Sequence, residues 1–293
     1  MKHSSLLLSL ALIGCSTLEG APENIKPVNA VAHNFTVQKG LTYSPAGWPQ
    51  ELKADIYAPR GLGPHAVVMV LYGGGWADGA RGDMSDVCRY LAERGFAAVA
   101  VDYRHAPQYK FPAPLQDLQQ ALRWVHARAE SLNLDADRIG IYGYSSGGHL
   151  AALIGTIGDS DPLDAPYGGP LTRVKAVVAG GAPTDLRKYE GGELVPQFLG
   201  GSREQIPEVF ALASPITHVS PSDPPFFFYH GTLDTLVPID HAEDMKVALD
   251  AVGVPAQLLR LTAMTHVMTY FFDSTALESA THFLDRYLRA RAF

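Results

Sequence analysis

Six apolar runs of strand length, separated by stretches of helical period, constrain this 293-residue chain more than any other feature. They are "AVVMVLY" (66–72), "AAVAVDY" (97–103), "RIGIYG" (138–143), "VKAVVAG" (174–180), "PFFFYHG" (225–231) and "AQLLRL" (256–261). Their apolar residues are consecutive rather than alternate, the pattern of strands covered on both faces. Between them Leu115, Leu118, Leu122, Val125 and Ala129 recur at helical spacing behind Pro112 and Pro114, and 238–252 and 275–291 read the same way. Strand and helix in alternation predict an α/β architecture with a mostly parallel, doubly wound sheet. Ahead of it, "FTVQKGLTYS" and "LKADIYAP" alternate in polarity around "PAGWPQ", which predicts an N-terminal antiparallel hairpin. One sheet uses 34–293, so one domain is expected. The stretch 184–222, rich in Gly and Pro and without a strong period, reads as a small cap insertion over the carboxyl edge, where such sheets place their ligands.

The apolar fraction of 47% with 18% charged residues suits a sizeable core. A net charge of −7 without a basic stripe argues against nucleic acid as a partner. The N-terminus, "MKHSSLLLSLALIGCS", carries one lysine and then an apolar stretch, Leu6 to Ile13, too short to span a bilayer. Residues 1–14 therefore read as a signal peptide. Leu12-Ile13-Gly14-Cys15 resembles the bacterial lipoprotein cleavage box. That resemblance implies export, lipidation of Cys15 and membrane contact by the lipid anchor only; Ser16 beside it resembles lipoproteins sent to the outer membrane. Residues 15–33 are then expected as a flexible tether. With Cys15 lipidated, Cys88 is a small buried residue; without lipidation, a disulfide between the two is the alternative.

The run 138–143 drives into "GYSSG", which centres Ser145 between two glycines, and 149–157 follows as a helix. A strand that reverses into a helix within a few residues forces the middle residue into strained backbone angles and leaves no room for side chains at its flanks. Ser145 is thus a candidate nucleophile. Such a serine needs donors for the oxyanion it creates. Gly73-Gly74-Gly75 follows the first central strand, and bare amides of Gly74 and Gly75, with that of Ser146, suit the task. Neither a phosphate-binding Gly-Lys-Ser/Thr nor a Gly-x-Gly-x-x-Gly is present.

The stretches "YGGGW", "VDYRHAP", "DADRIGIYGYSSGGHLAAL" and "HGTLDTLVP" together resemble the α/β-hydrolase superfamily over nearly all of 35–290, specifically carboxylesterases of the hormone-sensitive-lipase and feruloyl-esterase-like branches. The resemblance implies a Ser, acid, His order. Asp234, after the next-to-last strand, is the expected acid; Asp223 lies before that strand and Asp240 enters the next helix. His266, after the last strand, is the expected base, with His230 shaping the acid's turn and His149 packing one helical turn beyond Ser145. Two departures stand out: Tyr72 replaces the histidine that usually precedes the glycines, and Thr265 replaces the glycine that often precedes the histidine. Tyr72 is expected to brace the loop through its hydroxyl.

These residues imply a serine carboxylester hydrolase working through an acyl-enzyme, without metal or organic cofactor. With a short insertion the pocket is expected to be open, lined by Tyr72, Trp76 and Tyr144, and suited to short acyl groups or esters on a polysaccharide. Asp185 is expected to bridge the insertion to the sheet. An aryl-formamidase or serine peptidase of the same fold, or an inactive binding protein of the envelope, are the alternatives.

Overall fold

The computed structural model describes residues 16–20, 34–272 and 274–289. Its strands are β1 (Thr17–Glu19), β2 (Phe35–Thr42), β3 (Lys53–Pro59), β4 (His65–Leu71), β5 (Ala97–Val101), β6 (Leu134–Tyr144), β7 (Ala176–Gly180), β8 (Phe226–Gly231) and β9 (Ala256–Leu261). The helices are α1 (Ser85–Glu93), α2 (Ala113–Arg128), α3 (Ser146–Thr156), α4 (Leu194–Leu199), α5 (Pro207–Leu212), α6 (Asp240–Ala251), α7 (His266–Phe272) and α8 (Ser274–Leu288). The strands form one sheet in the order β1-β9-β8-β7-β6-β4-β5-β3-β2.

From β5 across to β9 all neighbours are parallel, and the six apolar runs supply every one of these strands. Val67 to Leu71, Ala97 to Val101 and Phe226 to Phe228 are all inaccessible to solvent, because helices cover both faces. The apolar stripe of α2, Leu115, Leu118, Leu122 and Val125, is likewise buried. The hairpin forms as its alternation requires, β2 pairing antiparallel with β3 and β3 with β5. The two wings of the sheet diverge at β4 and β6: the chain runs outward through β5, returns, and runs outward again through β7, β8 and β9. Segments that follow β4 and β6 therefore meet at the switch point of the carboxyl edge.

One expectation changes. The region 15–33 was expected as a tether throughout, but Thr17–Glu19 is an edge strand, antiparallel to β9. Glu19 explains the attachment, with a carboxylate 2.5 Å from Arg260 Nη1 and 3.7 Å from Lys246 Nζ. Residues 1–15, where the signal peptide and the lipidated Cys15 are expected, and 21–33 lie outside the described residues. The stretch 184–222 lies in the β7–β8 crossover, the long connection that parallel neighbours need. It carries α4 and α5 over the carboxyl edge before descending to the start of β8.

A buried ion pair fixes the base of the same edge. Asp117 on α2 accepts from the Arg104 amide at 2.8 Å and its Nε at 2.8 Å, and from Trp48 Nε1 at 2.7 Å. The pair joins the turn of the entry hairpin, the end of β5 and α2. Cys88 is a free, buried thiol whose pKa burial pushes up, consistent with a packing role.

Candidate active site

Ser145 sits between β6 and α3 with φ 54° and ψ −124°, a left-handed conformation that strains any residue with a Cβ. The glycines around it are required by contact. A Cβ on Gly143 would stand 2.1 Å from the Gly147 carbonyl, and one on Gly147 would stand 2.3 Å from the Tyr72 carbonyl. The turn is thereby pressed against the end of β4, which brings the hydroxyl to the switch point.

Across that edge the chain assembles a line of hydrogen bonds. Ser145 Oγ is 2.9 Å from His266 Nε2, and His266 Nδ1 is 2.6 Å from Asp234 Oδ2. Asp234 follows β8 and His266 opens α7 after β9, as chain order implied. The other carboxylate oxygen, Oδ1, accepts from the amides of Leu236 at 3.0 Å and Val237 at 2.8 Å. His230 donates from Nε2 to the Val237 carbonyl at 2.8 Å and lies 3.4 Å from Asp234 Oδ2, so it shapes the acid's turn as expected. Burial pushes the Asp234 carboxyl up, but the hydrogen bonds from His230, His266 and the Val237 amide outweigh it and hold the group well below the usual carboxylate range. An ionised carboxylate against Nδ1 orients the ring with Nε2 free to accept from the serine. Thr265 caps α7, its hydroxyl accepting from the Met268 amide at 3.3 Å, which accounts for a threonine in a position where glycine is common.

The loop after β4 supplies the donors. Gly74 has φ +124°, and a Cβ there would lie 2.1 Å from the Asp78 carbonyl. The amides of Gly74, Gly75 and Ser146 donate to no protein acceptor among the described residues. The Ser146 amide also lies at the positive end of α3. An oxyanion formed on a carbonyl attacked by Ser145 would meet all three.

The expected pocket residues separate into three roles. Trp76 lines a chamber of about 310 Å³ beneath the crossover, with Gly75, Ser145, Pro183, Tyr189 and Leu194. Tyr144 lines a second cleft of about 360 Å³ on the other side of Ser145, with Gly74, Asp78, His266, Tyr270 and Phe271. It is also a brace, because its hydroxyl donates to the His266 carbonyl at 2.6 Å. Tyr72 lines neither; it is 1% exposed and belongs to the core. Its ring stacks on Tyr103 at 4.4 Å, its carbonyl accepts from the Tyr103 hydroxyl at 2.9 Å, and its own hydroxyl lies 2.9 Å from His105 Nε2. The hydroxyl and ring thus anchor the residue that precedes the glycines, through Tyr103 and His105 of "VDYRHAP". Asp185 also differs from expectation. It caps its own short 3₁₀ turn, pairs with Arg187 at 2.8 Å, and its amide donates to His241 Nδ1 at 3.2 Å, so it ties the crossover to α6 rather than to the sheet.

This geometry has counterparts among known proteins. Esterase LipC of Mycobacterium tuberculosis is 32% identical over 80% of this chain and 60% of its own length. The chain spans only about half the length of the curated relatives it matches, 44%, 60% and 52% of the first three. Among solved structures, esterase 2 of Thermogutta terrifontis in its apo form is 26% identical, with a TM-score of 0.73 over 89% of this chain and 98% of that one. The same esterase is also solved phosphoramylated by tabun and, at 25% identity, with propionate bound. A bifunctional GH43-CE protein of Bacteroides eggerthii superposes with a TM-score of 0.78 at 29% identity, covering 86% of this chain and 35% of that one. The model of the BD-FAE family matches residues 54–249, from β3 through the strained serine and both wings of the sheet to α6. By that match and by its fold, the chain belongs to the BD-FAE family of α/β-hydrolases.

Proposed function

We propose that the protein is a serine carboxylic ester hydrolase that prefers short acyl groups on a larger alcohol. One observation carries the proposal: Ser145, His266 and Asp234 form an unbroken chain of hydrogen bonds at 2.9 and 2.6 Å beside three unused amides. His266 Nε2 takes the Ser145 proton while Oγ attacks the ester carbonyl; the oxyanion rests on the Gly74, Gly75 and Ser146 amides. His266 then returns the proton to the leaving oxygen as the acyl-enzyme forms, and activates the water that releases the acid. Asp234 holds the ring and balances the imidazolium.

The two clefts divide the substrate. The leaving oxygen must lie within reach of Nε2, so the alcohol occupies the cleft that contains His266. The acyl group then enters the chamber under the crossover, which at about 310 Å³ stands at the small end of ligand pockets. The alcohol side is open at Val267 and Phe271, 61% and 67% exposed, and leaves room for an alcohol that continues beyond the protein, a sugar chain among them. The propionate bound to the Thermogutta esterase is a short acid of the size this chamber would take.

The reading is tested with a fluorophosphonate probe and a series of nitrophenyl esters. Labelling of the wild type, lost in Ser145→Ala, and a rate that falls from acetate and butyrate to octanoate are expected; an unlabelled folded wild type would overturn it. N-formylkynurenine and a proline dipeptide amide in the same panel test the formamidase and peptidase alternatives. Leu194→Ala, which enlarges the acyl chamber, is expected to move the optimum toward longer chains by about 10-fold in relative kcat/KM. We further propose export and anchoring through Cys15, with the anchor joining the domain directly at the edge strand β1; Cys15→Ser is expected to move the protein from the membrane fraction to the soluble one.

A further inference from the structure

His149 is wholly buried, and the mechanism above does not use it. Its two ring nitrogens are both committed. Trp76 Nε1 lies 3.1 Å from Nδ1, and an indole N–H only donates, so Nδ1 carries the lone pair. Nε2 lies 2.7 Å from the Ala213 carbonyl, which only accepts, so Nε2 carries the proton. These partners select one neutral tautomer, and burial, which pushes the pKa down to about 4, keeps the ring neutral.

The residue so held is the one that ends the oxyanion loop. Gly75 and Trp76 both have φ 60°, two consecutive left-handed residues, and the second has a Cβ to strain it. Three contacts oppose relaxation. The Trp76 indole stacks on Phe198 of α4 at 4.5 Å and 5°, Leu194 of the same helix fills the space beside Gly75, and His149 receives the indole N–H from below. His149 stands on α3 one turn after Ser145, its amide donating to the Ser145 carbonyl at 2.9 Å. The helix that begins at the nucleophile therefore also holds the loop that faces it.

We propose that His149 is a positioning residue of the oxyanion loop: it fixes Trp76 and, through it, aims the Gly74 and Gly75 amides at the oxyanion. The inference rests on the hydrolase reading. The donors are useful only if their direction is set before the reaction, and two glycines and a strained tryptophan cannot set it alone. Through Ala213 and Phe198 the same imidazole also connects the loop to the crossover that roofs the acyl chamber.

The test compares kcat and KM for nitrophenyl acetate, with thermal melting, in His149→Leu, His149→Asn, Trp76→Phe and the double variant His149→Leu/Trp76→Phe. His149→Leu strands the indole N–H and is expected to lower kcat by about 10–100-fold while KM moves less than about threefold, up to the lower bound for loss of a whole oxyanion donor. In His149→Asn the side-chain oxygen replaces Nδ1 as acceptor, but no donor of the shorter side chain reaches the Ala213 carbonyl in place of Nε2, so kcat recovers to within about threefold while melting stays low. Trp76→Phe in the leucine background removes the stranded donor, so the losses in kcat are not additive. A folded His149→Leu with kcat within twofold of wild type, or additive losses, overturns the inference. If His149→Leu does not fold, Trp76→Phe alone decides: it deletes the N–H and part of the ring stacked on Phe198, so an unchanged kcat overturns the inference. A wild type without esterase activity, in parallel with Ser145→Ala, overturns the hydrolase reading instead and the inference with it.

Discussion

Asp223 and Asp234 flank the same strand, β8, and stand at opposite edges of the sheet. Asp223 lines a hollow of about 930 Å³ at the amino edge, with Asp159, Asp161, Arg173 and His218, larger than either cleft beside Ser145. Its donors are both from Ser220, the hydroxyl at 2.7 Å and the amide at 3.1 Å. Burial outweighs them and pushes its pKa up to about 6. Asp234 is also buried, yet its carboxyl is driven the other way, because two histidines and two amides converge on it. The histidine at the amino edge is spent elsewhere: His218 is 2.6 Å from Asp161 and 2.8 Å from the Leu212 carbonyl. Neither the size of a hollow nor burial of a carboxylate makes a reactive site. Directed donors do, and they gather at the carboxyl edge because there the loops from β4, β6, β8 and β9 open toward one another.

The sharpest way to break this comparison is Asp234→Asn. It keeps the shape but removes the charge that orients His266, so kcat for a short-acyl ester is expected to fall by about 10²–10⁴-fold. A loss below fivefold would mean that another group orients the imidazole. Tyr144→Phe is gentler. It removes only the hydroxyl that donates to the His266 carbonyl, and kcat should fall by about 3–10-fold with KM nearly unchanged, since the ring moves but the clefts do not. A changed KM with constant kcat would return Tyr144 to a purely pocket-lining role.

The smallest effect separates the two acids by stability. Asp223 has its native pKa raised above the unfolded value, so the native state binds the extra proton and stability falls as pH rises from about 4 through 6. Asp223→Asn removes that penalty. Its melting temperature should exceed that of the wild type by about 1–2 °C at pH 7–8, match it below pH 4, and leave kcat unchanged. Asp234 has the opposite sign. Its depressed native pKa contributes stability that is complete above about pH 4 and is lost as pH falls through the native value. In Asp234→Asn the melting curve should therefore lose part of its acid dependence. Equal behaviour of the two variants across pH would erase the distinction.

Much of this was readable in the chain. Ser145, Asp234 and His266 each follow an apolar run of strand length, and the family's Ser, acid, His order picks the last two among their neighbours. The hairpin, the parallel sense of the six runs and the place of 184–222 above the carboxyl edge follow from local period and composition. The errors lie where a side chain finds a distant partner. Tyr72 reads as a pocket residue until Tyr103 and His105 claim its ring and hydroxyl. Asp185 reads as a bridge to the sheet until its amide meets His241. Residues 17–19 read as tether until Glu19 meets Arg260.

The sequence by itself determined which residues end which strands, and so which groups reach the carboxyl edge, because hydrophobic period and glycine positions act over a few residues and survive without a partner. Only the tertiary structure decided that the cleft has two unequal sides, that Tyr144 holds the histidine, and that His149 holds the tryptophan. Each of those contacts joins residues far apart in the chain, 122 positions for Tyr144 and His266 and 73 for Trp76 and His149. A hydrogen bond or a stacked ring takes its direction from both partners at once, and no local pattern records the second one.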